Sequence, residues 1–531
     1  MDPLTVTLAL AVLGVLVVVA ASALGERLGV AAPLLLVGAG VAASVVPGFP
    51  TFEVEPEWVL AGLLPPLLYS AAVSVPAMDL RRELSAVSGL SVVLVVLSSF
   101  ALGGFFALVV PGLGLAWGVA LGAVVSPTDA VATSIARRLG VPARAVTILD
   151  GEGLLNDATA LVVLRAGIAA AASGVSLWGV AGRFVWSIAL AALIGVLVGR
   201  AGLWVRARLR EVPATTALSF AVPFVAAIPA ELAGASGLVA AVLAGLTTGW
   251  RAPRVLSPGA RLSDAQNWST VEMLLEGAVF LVMGLQLIGI LRDVQADHAG
   301  VGTALAVAAG ALALTVVVRA VYVTLLFLGQ RTRTARTAQR RDVFARLDAG
   351  EDVGHRRRQR RTPTERQVQQ FRSRVARALA DIDHLLAHPL DARQGAVVVW
   401  AGMRGAITLA AAQTLPEETP ARPLLLLVAV AVAVGSLLLQ GATLPWVVRR
   451  LLGSSAADPA DQEQQWDVVR QRLAEAAAGA GTDDPVAVLR AQRTALLAER
   501  DLGRLDSAVL TAALAELDAD QIALEVRSRG G

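Results

Sequence analysis

Three acids fall within sixteen residues that otherwise read as one apolar helix: Asp150, Glu152 and Asp157 in "ILDGEGLLNDATALVV" (148–163). A charge at the middle of a membrane-crossing helix costs about 2.5–3.5 kcal/mol on insertion scales, so each one needs a partner or a task. Glu152 and Asn156 are four apart and share a face, which lets the amide donate to the carboxylate. Asp157 sits about 100° further round the helix, free to face a cavity. Upstream, "VVSPTDAVATS" (124–134) places Pro127 in an apolar run, where it removes a backbone donor and disfavours helix at Ser126. A helix broken at that depth is tolerated only where it is buried in protein or lines a watery cavity. With Thr128 and Asp129 beside the break and Asp157 facing it, a carboxylate, a hydroxyl and loose carbonyls converge: oxygen ligands for a small hard cation or a proton. The plainer alternatives are a proline kink whose Ser and Thr satisfy their own backbone, and an interhelical carboxylate–arginine pair.

The other charges in apolar runs are few. In "WAGMRGAITLAAAQT" (400–414), Gly402 and Gly405 flank Arg404, allowing close backbone approach or an unwound stretch, and Arg404 needs a carboxylate such as Glu152. Glu276 and Arg319 are expected to pair with each other as a structural ion pair. Arg183 and Asp150 lie near the ends of runs, where snorkelling or placement at a helix terminus is enough. The histidines, His298, His355, His384 and His388, fall outside the apolar runs. The spacing of the last two on an expected cytoplasmic helix fits a solvated face better than a metal site.

These residues need elements to hold them. Of the 531 residues 56% are hydrophobic and only 16% charged, against about 25% in a soluble domain. The apolar excess comes in blocks of about 20 residues, long enough to cross a hydrocarbon core of about 30 Å. Spans are predicted near 4–23, 29–47, 58–76, 87–110, 114–136, 146–171, 178–205, 213–231, 235–250, 268–291, 301–328, 395–415 and 422–447. The fold class is therefore an all-α polytopic membrane protein of 13 transmembrane helices; a β-barrel would need strands of about 10 alternating residues, and a signal peptide would explain only the first block. There is no cysteine, which excludes disulfides and thiolate chemistry.

Every basic residue apart from the histidines is arginine. Arg27, Arg81 with Arg82, Arg137 to Arg144, Arg206 to Arg210 and Arg251 to Arg261 all fall in every second connection. The positive-inside rule then puts the N-terminus outside, the C-terminus in the cytoplasm and the protein in the cell membrane. The division expected is spans 1–11 in 1–328, a basic cytoplasmic loop in 329–394, spans 12 and 13 in 395–448, and a helical cytoplasmic domain in 449–531. The loop's "GHRRRQRRTPTER" (354–366) suits anionic lipid headgroups; it lacks the interleaved aromatics that nucleic-acid binding would need. No protein partner is identifiable. Spans 5 and 12 carry the two interrupted stretches and differ by seven, so the halves 1–6 and 8–13 run in opposite directions. Paired interruptions in inverted halves point to a transporter's midplane site.

Four motifs in order, "LLPPLLYSAA" (63–72), "SPTDAVA" (126–132), "GEGLLNDATALVV" (151–163) and "GMRGAITLAAA" (402–412), resemble the cation:proton antiporter-1 family, the sodium/proton exchangers, and most closely its bacterial NhaP-like members. The resemblance covers residues 4–448. It implies an inverted-repeat antiporter fold with unwound helices crossing at spans 5 and 12, a homodimer, elevator-like movement, and no cofactor beyond the transported Na+ or other monovalent cation and H+. By motif, Asp157 is the carboxylate that binds cation and proton in turn, and Asn156 is its partner. Thr128 and Asp129 belong to the unwound helix with Ser126, Na+ is held at Asp157 and Thr128, and Glu152 with Arg404 resembles the buried pair beside the site.

An Asn-Asp pair implies electroneutral exchange, since one carboxylate carries one proton or one Na+. Two positions depart from the family pattern: Gly153 stands where a serine is common, and Ser70 where many relatives carry an acid. Both bear on ion choice, which leaves K+/H+ exchange as the alternative. An intramembrane aspartyl protease using Asp129 and Asp157 is the remaining rival of another class, but the flanks are Thr-Asp and Asn-Asp rather than Tyr-Asp and Gly-x-Gly-Asp.

Overall fold

Long runs of Leu, Val and Ala can satisfy their backbone groups away from water only within helices, and helix is what they form. The computed structural model describes residues 3–28, 30–47, 55–173, 177–209, 211–296, 300–348, 365–387, 389–405, 407–453, 459–482, 484–503 and 505–530. In chain order the helices begin with α1 (Pro3–Leu28), α2 (Ala32–Val45), α3 (Leu64–Ser74), α4 (Ala77–Arg82), α5 (Leu84–Ser88), α6 (Val95–Val109), α7 (Gly114–Val125), α8 (Val131–Arg138) and α9 (Ala143–Ser173). They continue with α10 (Leu177–Arg206), α11 (Val212–Leu232), α12 (Gly237–Val255), α13 (Pro258–Ala296), α14 (Val301–Asp348), α15 (Glu365–Ala387), α16 (Ala392–Trp400), α17 (Ile407–Gln413), α18 (Arg422–Ser436) and α19 (Ala442–Leu452). The tail adds α20 (Pro459–Gly479), α21 (Pro485–Leu502) and α22 (Ser507–Gly530).

Among the described residues eight helical stretches are long and apolar enough to cross a membrane; Ala32–Val45, Trp58–Ser74 and Gly114–Val125 are shorter apolar ones. Local chemistry sets several of the ends. Pro65 and Pro66 occupy the first turn of α3, where missing N–H groups cost least, and Trp58–Leu63 before them widens into a π turn. Asp391 caps α16 by accepting from the Gln394 N–H at 2.7 Å.

Packing sorts the apolar helices into two bodies. In the first, α2 lies along α13, α12 packs on α3 and α10, and α1 and α11 complete the group. In the second, α6 lies along α7, α7 on α9, and α14 on α6, α16 and α18, with α8, α17 and α19 filling the rest. The α6–α7 approach needs Gly103, whose added Cβ would stand 2.8 Å from the Val119 backbone. Contact between the bodies is sparser, chiefly α13 against α18 and α9 against α3 and α12.

The segment expected as a loop is more helical than its charge suggests: α14 continues as far as Asp348, and α15 packs back on it. Residues 354–364 of the arginine-rich run, with His298, His355 and His388, lie outside the described residues, as do the side chains of Arg183 and His384. The tail helices close on their own core of Val469, Leu489, Leu496, Val509, Leu510 and Leu517. They also bind both bodies. Arg254 and Arg261 of the first pair with Asp501 and Asp518, while on α4, which packs against α9 of the second, Arg82 donates to the Gly503 carbonyl and Asp79 accepts from the Ser507 hydroxyl.

Candidate ion-binding site

Pro127 explains the first interruption, where α7 stops at Val125 and α8 resumes at Val131. Gly402 and Gly405 explain the second, between α16 and α17. The two gaps meet: the Asp129 N–H donates to the Met403 carbonyl at 2.8 Å, joining one non-helical stretch to the other. Two glycines leave room around this junction, Gly405 for the opposite gap and Gly402 for Arg319. A Cβ on Gly405 would overlap the Asp129 carboxylate, and one on Gly402 would stand 2.6 Å from Arg319 Nε.

Side chains then satisfy the groups the breaks set free. Asn156 donates through Nδ2 to the Thr128 carbonyl at 3.0 Å and to Thr128 Oγ1 at 2.8 Å, and that hydroxyl donates to Glu152 Oε1 at 3.0 Å. Thr128 thus stands between Asn156 and Glu152, so the direct amide-to-carboxylate bond expected from their spacing is replaced by a bridged one. Ser126 holds the other end of the gap through a bond to the Val95 carbonyl at 3.3 Å.

Both expected ion pairs are corrected by the structure. Glu152, 2% exposed, is gripped by Arg319 from α14, with one Nη bonded to each carboxylate oxygen and the longer contact at 2.8 Å. Arg319 also donates to the Val398 carbonyl from Nε at 3.1 Å and Nη2 at 3.0 Å. That carbonyl belongs to the last turn of α16, where carbonyls lack intrahelical partners and the helix dipole favours a cation. Arg319 therefore answers a carboxylate and a broken helix end together, a demand invisible along the sequence. Arg404, placed in the gap itself, turns to its own stretch: Nη1 donates to the Gly402 carbonyl at 3.2 Å, and its N–H to Ser436 Oγ at 2.8 Å. Glu276, deprived of Arg319, faces a cavity instead.

That cavity, of about 150 Å³, lies on the seam between the bodies. The second body contributes Thr128, Asp129, Thr133, Gly153 and Asp157; the first contributes Glu272 and Glu276 from α13 and Leu68 and Ala71 from α3. It reaches Arg137 and Asp150, themselves paired at 2.6 Å, which stand about 10 Å from Asp157 along α9. Asp157 is 6% exposed, and no hydrogen bond or ion pair joins it to a described residue. Beyond it the walls close to a slit of about 10 Å³ lined by Ala160, Leu161, Leu164, Ile407 and Ala411.

Glu272 is a wall residue that the sequence reading passed over; its signal was its place four residues before Glu276, on one face. Ser70, the position noted for lacking an acid, donates to Glu272 Oε2 at 3.0 Å. At Gly153, the other departure, an added Cβ would meet nothing within 4 Å.

The family pattern described as sodium/hydrogen exchanger, transmembrane, matches residues 9–450. This chain belongs to the sodium/hydrogen exchanger family. It is 31% identical over 462 residues to an uncharacterized Na(+)/H(+) exchanger of Mycobacterium tuberculosis (strain ATCC 25618 / H37Rv), covering 84% of this chain and 75% of the relative. It is 30% identical over 276 residues to a sodium, potassium, lithium and rubidium/H(+) antiporter of Bacillus subtilis (strain 168), covering 50% of this chain and 41% of that one. Its fold is similar to that of the sodium proton antiporter MjNhaP1 from Methanocaldococcus jannaschii, with TM-score 0.58, 15% identity, and coverage of 85% of this chain and 99% of that chain. The chain's relatives are transporters, and the eight long apolar helices among the described residues fit a multi-pass membrane protein.

Proposed function

We propose that the protein exchanges Na+ for H+ across the cell membrane, one for one and without net charge movement, with Asp157 as the carboxylate that both ions share. The observation that carries this reading is a buried, unpaired Asp157 on the wall of a cavity, beside two helix gaps bonded to each other. An arginine beside it would make a permanent pair, but Arg319 is committed to Glu152 and Arg404 to Gly402. Asp157 is left to take either a proton or a cation. Thr128 Oγ1 donates once and accepts once, so one lone pair stays available to Na+.

In this reading the chain crosses the membrane 13 times as two inverted halves, with the N-terminus outside and the arginine-rich ends in the cytoplasm. The cavity runs from Asp157 toward Arg137, so the site is open to the cytoplasm and sealed outside by Leu161, Leu164 and Ile407. Sliding of the second body against the first would carry Asp157 to the other face. The first body would then be the stationary partner and the natural homodimer contact. K+/H+ exchange is the second reading, favoured by the ions named for the Bacillus relative and by the space left at Gly153.

Liposomes holding the purified protein and a pH dye, with an imposed pH gradient, test this. Na+ should dissipate the gradient equally with and without an ionophore that clamps the voltage, and Asp157→Ala should abolish the response. Exchange retained in that variant sinks the assignment of Asp157; a response to K+ alone moves the ion.

A further inference from the structure

Two carboxylates on α13 remain unused by that reading. Glu272 and Glu276 are four apart on a long apolar helix, so they share one face. Neither forms an ion pair with a described residue: the arginine expected for Glu276 holds Glu152, and the hydrogen bond of Glu272 comes from a neutral hydroxyl, Ser70 at 3.0 Å. Acids without a countercharge inside a membrane protein are costly, and such residues generally mark ion pathways. Both line the cavity that Asp157 and Asp129 line from the opposite body. Its volume of about 150 Å³ has room for about five waters at roughly 30 Å³ each, enough for a cation keeping part of its hydration shell.

The placement matters because the two walls belong to different bodies. Asp157 rides on α9 of the second, whereas α13 belongs to the first. An ion leaving Asp157 for the open side passes along a wall whose charge does not travel with it. Arg137, the cavity's arginine, stands at its outer end and is paired with Asp150, leaving Glu272 and Glu276 to act on the ion between them and Asp157.

We propose that Glu272, held by Ser70, and Glu276 form a fixed relay that draws the cation into the cavity and hands it to Asp157, setting the apparent affinity for Na+ on that side. The proposal rests on Asp157 being the transport carboxylate. The relay acts by concentrating cations in a cleft whose wall carries far more acids than arginines, so it changes the concentration needed more than the turnover once the site is filled. Glu272 and Glu276 are positioning residues for the ion, and Ser70 for Glu272.

The experiment is Na+ titration of exchange by the full chain in liposomes, comparing Glu272→Gln, Glu276→Gln, the double variant, Glu276→Asp, and the swap Ser70→Glu with Glu272→Ser. Each Gln variant should raise the half-saturating Na+ concentration roughly threefold and the double about tenfold, with a smaller fall in the maximal rate. Glu276→Asp, which keeps the charge, should stay near wild type. The swap returns one carboxylate to the same corner from the facing helix, and should recover most of the loss seen in Glu272→Gln. Unchanged half-saturation in the double variant overturns the relay, and so does a fall in maximal rate alone. Asp157→Ala run alongside separates the two readings: if it is inactive while the Gln variants are unshifted, only the relay fails; if it is active, the site itself is misassigned.

Discussion

Replacing Arg319 with Met is the sharpest probe of the site's scaffold, because sequence motif and structure pair Glu152 with different arginines. In the structure the change removes both Nη contacts to Glu152 and both donors to the Val398 carbonyl, all at buried positions. Breaking a buried pair by deleting one partner costs about 3–5 kcal/mol, since the remaining charge stays desolvated. Spread over a body of this size, that is a fall of roughly 3–5 °C in the midpoint of thermal unfolding. Adding Glu152→Gln removes the stranded charge while leaving an oxygen to accept from the Thr128 hydroxyl. The double variant should therefore regain most of the loss, keeping a deficit of about 1–2 kcal/mol for the unanswered Val398 carbonyl.

The assay is thermal unfolding of detergent-purified protein, followed by loss of the monodisperse peak on size-exclusion chromatography. The full cycle comprises wild type, each single variant and the double. A second cycle pairs Glu152→Gln with Arg404→Met. Strong non-additivity is expected in the first and near-additivity in the second. Additive effects of Glu152 and Arg319, or a stronger coupling of Glu152 to Arg404, would refute the reasoning.

Two further changes address ion choice and the tail. Gly153 and Asp157 are four apart on one face of α9, and a Cβ at Gly153 meets open space, so Gly153→Ser adds an oxygen ligand without a clash; the half-saturating Na+ concentration should fall several-fold, and an unchanged value would show that the serine side chain does not reach the ion. Asp79, where α4 meets the tail, has its carboxyl raised above the usual value of 3.8 by burial, against the opposing effects of the Ser507 hydroxyl and Arg82; Asp506 and Glu83 push the same way as burial. A pKa raised in the docked state means that stability is fully present below the unfolded value and is lost as pH rises through the docked one. Proteolytic protection of residues 485–530 should weaken as pH climbs through that window, and Asp79→Asn, which stays neutral, should flatten the dependence. An equal slope in both proteins would remove Asp79 from the tail's pH response.

Some of this protein was settled by local chemistry that the sequence carries in full. Apolar blocks of about 20 residues can satisfy their backbone only as helices, so the all-helical membrane character follows from composition. Pro127 and the Gly402–Gly405 pair break their helices wherever those helices lie, which is why both gaps were legible. Asp157 stood out because a carboxylate in such a block is costly in any fold. Partnership was different. Whether Glu152 meets Arg404 or Arg319 depends on which helix end lies nearest, and the α16 terminus comes within reach of Arg319 only where α14 packs beside it. The cavity's two-sided wall is likewise a property of the seam: Glu272 and Glu276 lie more than a hundred residues from Asp157 in the chain, and only the meeting of the two bodies sets them around one space. Helix breaks and the cost of a charge in an apolar run act on each residue where it stands, while ion pairs and cavities are made between elements far apart in the chain.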